Sequence, residues 1–166
     1  MNGLLLSDSL LKNIPALARD ELQFTYALDC LDAIAYPGFT TERLIGQEGV
    51  IHDLLKSGDV SHVFLCSGAN DFNKCEQATS DRKARFVADG IRGNLHSFCA
   101  QYPEIKVVFF PIPFRQVCHE SRRNKRYPNN YDPAIINNLV VEQFNLDKDE
   151  LKPALQDNAI GCKGKI

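Results

Sequence analysis

The sequence predicts an α/β protein, a three-layer α/β/α sandwich with a central parallel sheet, and two observations carry this prediction. Short apolar runs with the character of buried strands alternate along the chain with longer segments of helical spacing. Such alternation is typical of parallel strands joined by right-handed crossover helices. The runs at residues 4–6 and 60–66 are nearly continuous in apolar residues, as expected of strands that helices cover on both faces.

The first elements follow from the same spacing. A helix is predicted over residues 13–20, after the strand at residues 4–6. Residues 21–36 are predicted as a second strand, which ends at the turn formed by Pro37 and Gly38.

A second helix is predicted to begin with Thr40 or Thr41 as its N-cap. Gly46 and Gly49 weaken this helix by about 1 kcal/mol each relative to alanine, so we expect it to be bent or irregular. The later predicted elements are a strand at residues 60–66, a long amphipathic helix at 80–102, a strand at 105–110 and a helix at 132–144.

Length and composition bound the class of protein. The chain has 166 residues, which we interpret as one domain spanning residues 1–166, and a formal net charge of -2 gives no global attraction to nucleic acid or anionic membranes. No apolar run approaches the roughly 20 residues that a membrane span needs, and no basic residue precedes the first apolar run. We therefore expect an intracellular protein without a signal peptide or a transmembrane segment.

The six cysteines are irregularly spaced and form neither a C-x-x-C pair nor a Cys/His metal pattern. This spacing argues against a structural zinc site and predicts mainly free thiols. Cys66 and Cys99 lie within apolar patterns and are expected to be buried.

Ser9 is predicted to lie where the first strand turns into the first helix. A hydroxyl at such a turn can project from the carboxyl end of a parallel sheet toward a ligand. Serine and aspartate are also common helix N-caps, so simple capping by residues 7–9 is the alternative interpretation.

Two further polar turns follow predicted strands, one with Gly38 and one with Asn70. Because the carboxyl ends of parallel strands meet at one edge of the sheet, Ser9, Gly38 and Asn70 are expected to be neighbours. Acyl transfer needs a nucleophile and donors for the developing oxyanion, and a serine hydroxyl, a glycine N–H and an asparagine amide would supply them.

Three short segments resemble the first three conserved blocks of the SGNH (GDSL-like) hydrolase superfamily, in the same order. They are residues 7–10 (Ser-Asp-Ser-Leu), 38–41 (Gly-Phe-Thr-Thr) and 68–71 (Gly-Ala-Asn-Asp), with Ser7 in place of the family's first glycine. The resemblance implies an SGNH, flavodoxin-like fold, with Ser9 as nucleophile and Gly38 and Asn70 in the oxyanion hole. It also implies an esterase or acylhydrolase that acts on a small acyl ester or acetylated substrate through an acyl-serine intermediate. Such an enzyme needs no metal or organic cofactor.

The fourth block of the family, Asp-x-x-His, is absent or degenerate. The nearest match begins at Asp157 and has Ile160 where the histidine belongs, and no histidine follows His119 in the sequence. His119 is therefore the candidate substitute base, with Asp157 as the orienting carboxylate. His52, His62 and His96 are expected to be structural or solvated. The alternative is a catalytically impaired SGNH-like module that binds a ligand, a protein partner, a second copy of itself or a polyanion.

Five basic side chains lie in the polar segment 115–130, namely Arg115, Arg122, Arg123, Lys125 and Arg126. A solvated surface loop is the ordinary interpretation of such a segment, and binding of phosphate, nucleic acid or another polyanion is the functional one. Residues 146–166 are polar and are predicted to form an irregular tail without a further core strand.

Overall fold

Four strands form one parallel sheet in the part of the chain that the structure describes. The computed structural model describes residues 1–8, 16–56, 58–75, 80–110, 112 and 136–140. The strands lie in the order β2-β1-β3-β4. They are β1 (Asn2–Ser7), β2 (Cys30–Ala35), β3 (Val60–Cys66) and β4 (Lys106–Phe109). The order reverses between β1 and β3, and a crevice is expected outside the carboxyl ends of two strands at such a point.

Helices cover both faces of this sheet. They are α1 (Ala16–Thr25), α2 (Thr41–Ile45), α3 (Ile51–Leu55), α4 (Ala69–Lys74) and α5 (Ser80–Gln101). Because successive strand residues point to opposite faces, Leu4 and Leu6 enter a large core with α2, α3 and α5, whereas Leu5 enters a smaller one. Leu22 of α1 packs against this smaller core. The described chain therefore has three layers, which confirms the predicted α/β/α sandwich.

The prediction of a single strand over residues 21–36 is wrong, because α1 continues to Thr25 and β2 begins only at Cys30. Leu22 and Tyr26 are four residues apart, so both can reach the smaller core from the end of a helix. The chain then reverses through Ala27, which has a positive φ of 50°.

The predicted irregular helix after Thr40 is divided into α2 and α3. Thr40 is the N-cap, and its hydroxyl oxygen accepts a hydrogen bond from the Arg43 N–H (3.4 Å). Gly49 follows α2 so closely that a Cβ at this position would lie 2.6 Å from the Leu44 carbonyl oxygen. Gly49 allows this close approach of two backbone segments, because it has no Cβ. The helix α4 was not predicted from the sequence.

The remaining described elements agree with their predictions. β3 has the predicted bounds, α5 ends one residue early, and β4 is two residues shorter than predicted. Residues 136–140 are helical, and Ile136 and Val140 are fully buried in the large core. Among the described cysteines, Cys66 is buried and Cys99 is half-buried. No helix among the described residues is long and apolar enough to cross a membrane.

Candidate active site

The carboxyl ends of β1, β2 and β3 are joined by backbone hydrogen bonds. The Tyr36 N–H donates to the Ser7 carbonyl (2.8 Å), and the Asp8 N–H donates to the Cys66 carbonyl (3.3 Å). The side chains of Ser7 and Asp8 are fully buried. The first motif of the sequence therefore reaches the point where the strand order reverses, and α/β proteins commonly bind ligands at this point.

The second motif begins with an exposed turn that contains Gly38. The Phe39 N–H closes the turn onto the Tyr36 carbonyl (3.1 Å), and Gly38 has φ +81°, a conformation that glycine adopts at little cost. Among the described residues, no acceptor bonds the Gly38 N–H. This N–H is therefore available to a ligand oxygen.

The third motif places Asn70 in the first turn of α4. Its Nδ2 donates to the Phe39 carbonyl at 3.0 Å, so the asparagine amide is held against the Gly38 turn. An asparagine amide carries two N–H donors, and only one of them has an acceptor among the described residues. Gly38 and Asn70, predicted as neighbours from widely separated motifs, are joined in the structure through Phe39.

Gly68 makes this placement of α4 possible. Its φ is +124°, and a Cβ here would lie 3.1 Å from the Ile91 Cδ1 and would collide with Ile112. A glycine is therefore required on both conformational and steric grounds. It turns the chain from the end of β3 directly into α4.

A buried polar network joins the second and third motifs beneath the turn. The Asp71 carboxylate accepts hydrogen bonds from the Thr41 N–H (2.9 and 3.1 Å to its two oxygens) and from the Thr41 hydroxyl (3.1 Å). The Thr41 hydroxyl also pairs with the Ser67 hydroxyl at 2.8 Å. The sequence analysis did not assign these three residues to the site, because each is an ordinary polar residue whose partner lies about 30 positions away.

Burial controls the protonation of this region. It raises the pKa of Asp71, with a smaller contribution from the negative charge of Asp8, while the bonds from Thr41 act in the opposite direction. Burial also raises the pKa of the Cys66 thiol to about 12, and the negative charge of Asp8 adds to this increase. Cys66 is therefore protonated at neutral pH and is not a thiolate nucleophile.

Two described histidines have structural environments away from the carboxyl edge of the sheet. His52 bridges the Gly46 carbonyl through Nε2 and the Tyr102 hydroxyl through Nδ1, both at 2.8 Å. His62 is buried in β3 opposite Gly3, and burial lowers its pKa. His96 is exposed on α5. The part of the chain that the structure describes places no histidine beside Gly38 and Asn70.

The other predicted site residues lie outside the described residues. They are Ser9, His119 and Asp157 of the predicted catalytic set and Arg115, Arg122, Arg123, Lys125 and Arg126 of the predicted polyanion site. The segments 115–130 and 146–166 also lie outside them. Within the described residues, no group of three or more His, Cys, Asp or Glu side chains is arranged to hold a metal ion.

The comparisons with known proteins identify the fold. No protein-family model and no curated protein sequence matches the chain. Phospholipase A1 from Streptomyces albidoflavus is 14% identical, with a TM-score of 0.50 over 87% of this chain and 75% of that one. The lipase/acylhydrolase from Enterococcus faecalis is 21% identical, with a TM-score of 0.50 over 88% of this chain and 74% of that one.

A protein from Parabacteroides merdae, described as a candidate GDSL-like lipase, is 12% identical. Its TM-score is 0.54 over 87% of this chain and 74% of that one. At these identities the likeness establishes the fold alone. The chain has the fold of the SGNH/GDSL-like hydrolases.

Proposed function

We propose that this chain is an SGNH-type serine esterase or acylhydrolase, with Ser9 as nucleophile and Gly38 and Asn70 as oxyanion donors. The observation that carries the proposal is the 3.0 Å hydrogen bond from Asn70 to the Phe39 carbonyl, which joins the second and third motifs. The Gly38 N–H, which no described residue accepts from, is the proposed second donor. The hydrolase fold supports the same assignment.

In the proposed reaction, the Ser9 oxygen attacks the ester carbonyl carbon and its proton passes to a general base. The carbonyl oxygen becomes an oxyanion that accepts from the Gly38 and Asn70 N–H groups, each typically worth about 3 kcal/mol of transition-state stabilisation. The alcohol leaves with the proton from the base, which forms the acyl-serine. Water, which gives a proton to the base, then attacks the acyl carbon; the bond from this carbon to the Ser9 oxygen breaks, the proton returns to Ser9 and the carboxylic acid leaves. His119 is the proposed base and Asp157 its orienting carboxylate.

The substrate class follows from this chemistry. We propose a small acyl ester or an acetylated compound, because the reacting groups are a hydroxyl nucleophile and neutral N–H donors. The reaction requires no metal or organic cofactor.

A second candidate function is that of a catalytically impaired module which binds a ligand or a protein partner. The observation that favours it is Ile160, which occupies the position where the resemblance places the catalytic histidine. Loss of such a base typically lowers the rate by several orders of magnitude, because a serine hydroxyl is a weak nucleophile at its own pKa.

Labelling by a fluorophosphonate probe distinguishes these functions. We expect the wild type to be labelled, Ser9→Ala to be unlabelled, and Asn70→Ala to be labelled roughly a hundredfold more slowly through loss of one oxyanion donor. His119→Ala should lose labelling if His119 is the base. Exposed Ser97 and His96 on α5 provide matched controls, so Ser97→Ala and His96→Ala should be labelled like the wild type.

Two outcomes contradict the esterase proposal. One is a folded wild type that stays unlabelled, which would favour the binding module. The other is labelling that persists in Ser9→Ala, which would place the reactive nucleophile elsewhere in the chain.

A further inference from the structure

Side chains of α4 hold three consecutive peptide groups of the Gly38 turn. Lys74 Nζ donates to the Gly38 carbonyl at 2.7 Å, and Asn70 donates to the Phe39 carbonyl at 3.0 Å. Asp71 accepts from the Thr41 N–H at 2.9 Å. Each contact fixes a different peptide group, so the conformation of the turn depends on α4. The resemblance assigns a role to Asn70 but none to Lys74, whose contact is the one made by a charged donor.

Gly38 needs such an external restraint. It is exposed, and a Cβ added there would meet no atom within 4 Å, so side-chain packing does not hold this residue. Glycine has the widest conformational freedom of any residue, and its peptide groups can rotate unless hydrogen bonds hold them. The bond from Lys74 acts directly on the peptide group that follows Gly38.

Lys74 itself forms no ion pair with a carboxylate among the described residues. An exposed lysine without a partner ordinarily samples many rotamers, because ordering a long side chain costs conformational entropy. Here its ammonium group lies instead at the carbonyl of Gly38, the residue whose N–H has no acceptor among the described residues.

We propose that Lys74 is a positioning residue for the oxyanion site. It holds the Gly38–Phe39 peptide group so that the Gly38 N–H remains available, and its charge favours an oxyanion bound there. This inference rests on the proposed function, since it assigns Lys74 to the same site. The restraint on the turn is a separate property that can be measured without any activity.

The test compares Lys74→Met, which removes both donor and charge, with Lys74→Arg, which keeps both. Lys56→Met is the matched control, because Lys56 is also exposed and its ammonium is bonded to Asp53 rather than to the turn. The first readout is amide hydrogen exchange of Phe39 and Thr41, measured by NMR. The second is the rate of fluorophosphonate labelling as a function of probe concentration, which separates the limiting rate from probe affinity.

We expect Lys74→Met to accelerate exchange of the Phe39 and Thr41 amides about three- to tenfold and to lower the limiting labelling rate by a similar factor. The probe concentration for half-maximal rate should change little, because the donors act in the transition state. Lys74→Arg should restore both readouts, and Lys56→Met should match the wild type.

Unchanged amide exchange in Lys74→Met would overturn the inference. Equal losses of labelling in Lys74→Arg and Lys74→Met would also overturn it. If exchange accelerates but the wild type is not labelled at all, the positioning of the turn by Lys74 is supported, and the proposed esterase function is what fails.

Discussion

At the scale of single residues, Asp71 is a carboxylate that burial and hydrogen bonds affect in opposite directions. Its carboxylate accepts from both the backbone and the hydroxyl of Thr41, and burial nevertheless raises its pKa. Desolvation therefore outweighs these hydrogen bonds. The ionised carboxylate holds the second motif in place, but it does so at a cost to the stability of the folded chain.

This balance predicts a pH dependence of stability. The folded chain retains the Asp71 proton to a higher pH than the unfolded chain. The contribution of Asp71 to the free energy of unfolding therefore falls as pH rises from the ordinary aspartate pKa through the raised one. Asp71→Asn lacks this titration. We subtract the free energy of unfolding of the wild type from that of Asp71→Asn. This difference should rise with pH between the two pKa values and level off above them.

Urea denaturation over a series of pH values measures this difference. Asp59→Asn serves as the control substitution, because Asp59 is exposed and follows α3, outside the network of Thr41, Ser67 and Asp71. A difference for Asp71→Asn that stays constant or falls as pH rises would contradict a raised pKa for the Asp71 carboxylate.

At the scale of elements, the short helix α4 organises the site. Its N-cap is Gly68, which follows the buried end of β3 after Ser67, and the helix carries Asn70, Asp71 and Lys74, which bond the Gly38 turn. The sharp entry into α4 requires the backbone conformation of Gly68. The position of α4 therefore depends on one glycine and on the space beside Ile91 and Ile112.

Gly68→Ala is expected to destabilise the fold by about 2 kcal/mol or more, because it adds a steric conflict to a backbone conformation that alanine avoids. Gly90→Ala is the matched substitution. Gly90 lies within α5, a Cβ there meets no atom within 4 Å, and alanine should stabilise the helix by about 0.5 to 1 kcal/mol. Thermal or urea unfolding compares the two variants. Equal effects of the two substitutions would contradict the assigned role of Gly68.

At the scale of the whole molecule, the sheet has a protected centre and an outer strand. β1 is paired on both sides, with β2 and with β3. β2 has a neighbour on one side only within the described sheet, and most of its residues are exposed or half-buried. The inner strands β1 and β3 lead directly into the first and third motifs, so the candidate site lies at the end of the enclosed part of the sheet.

Native-state amide exchange should reproduce this arrangement. Successive N–H groups of β1 point to either neighbour and all find acceptors, whereas alternate N–H groups of β2 point away from β1. We expect uniformly slow exchange along residues 3–7 and an alternation of slow and fast exchange along residues 31–35. Uniformly slow exchange along β2, measured by NMR, would contradict the described strand order.

The sequence by itself determined the fold class, the bounds of β3 and the irregularity of the helix after Thr40, because these depend on local patterns of apolar residues and glycines. It also predicted that Gly38 and Asn70 would be neighbours, since parallel strands share one carboxyl edge. The assignment of Ser9, Gly38 and Asn70 to catalysis remains a prediction.

Only the tertiary structure decided which polar side chains meet beneath and around the Gly38 turn. Thr41 and Asp71 are 30 positions apart and Lys74 and Gly38 are 36 apart, and no local pattern pairs them. The same holds for residues 21–36, where contact with the smaller core extended a helix into a predicted strand. The periodicity of apolar residues predicts which face of an element is buried. The hydrogen-bond partner of a polar group depends instead on how β2, β3 and the helices that follow them pack in space.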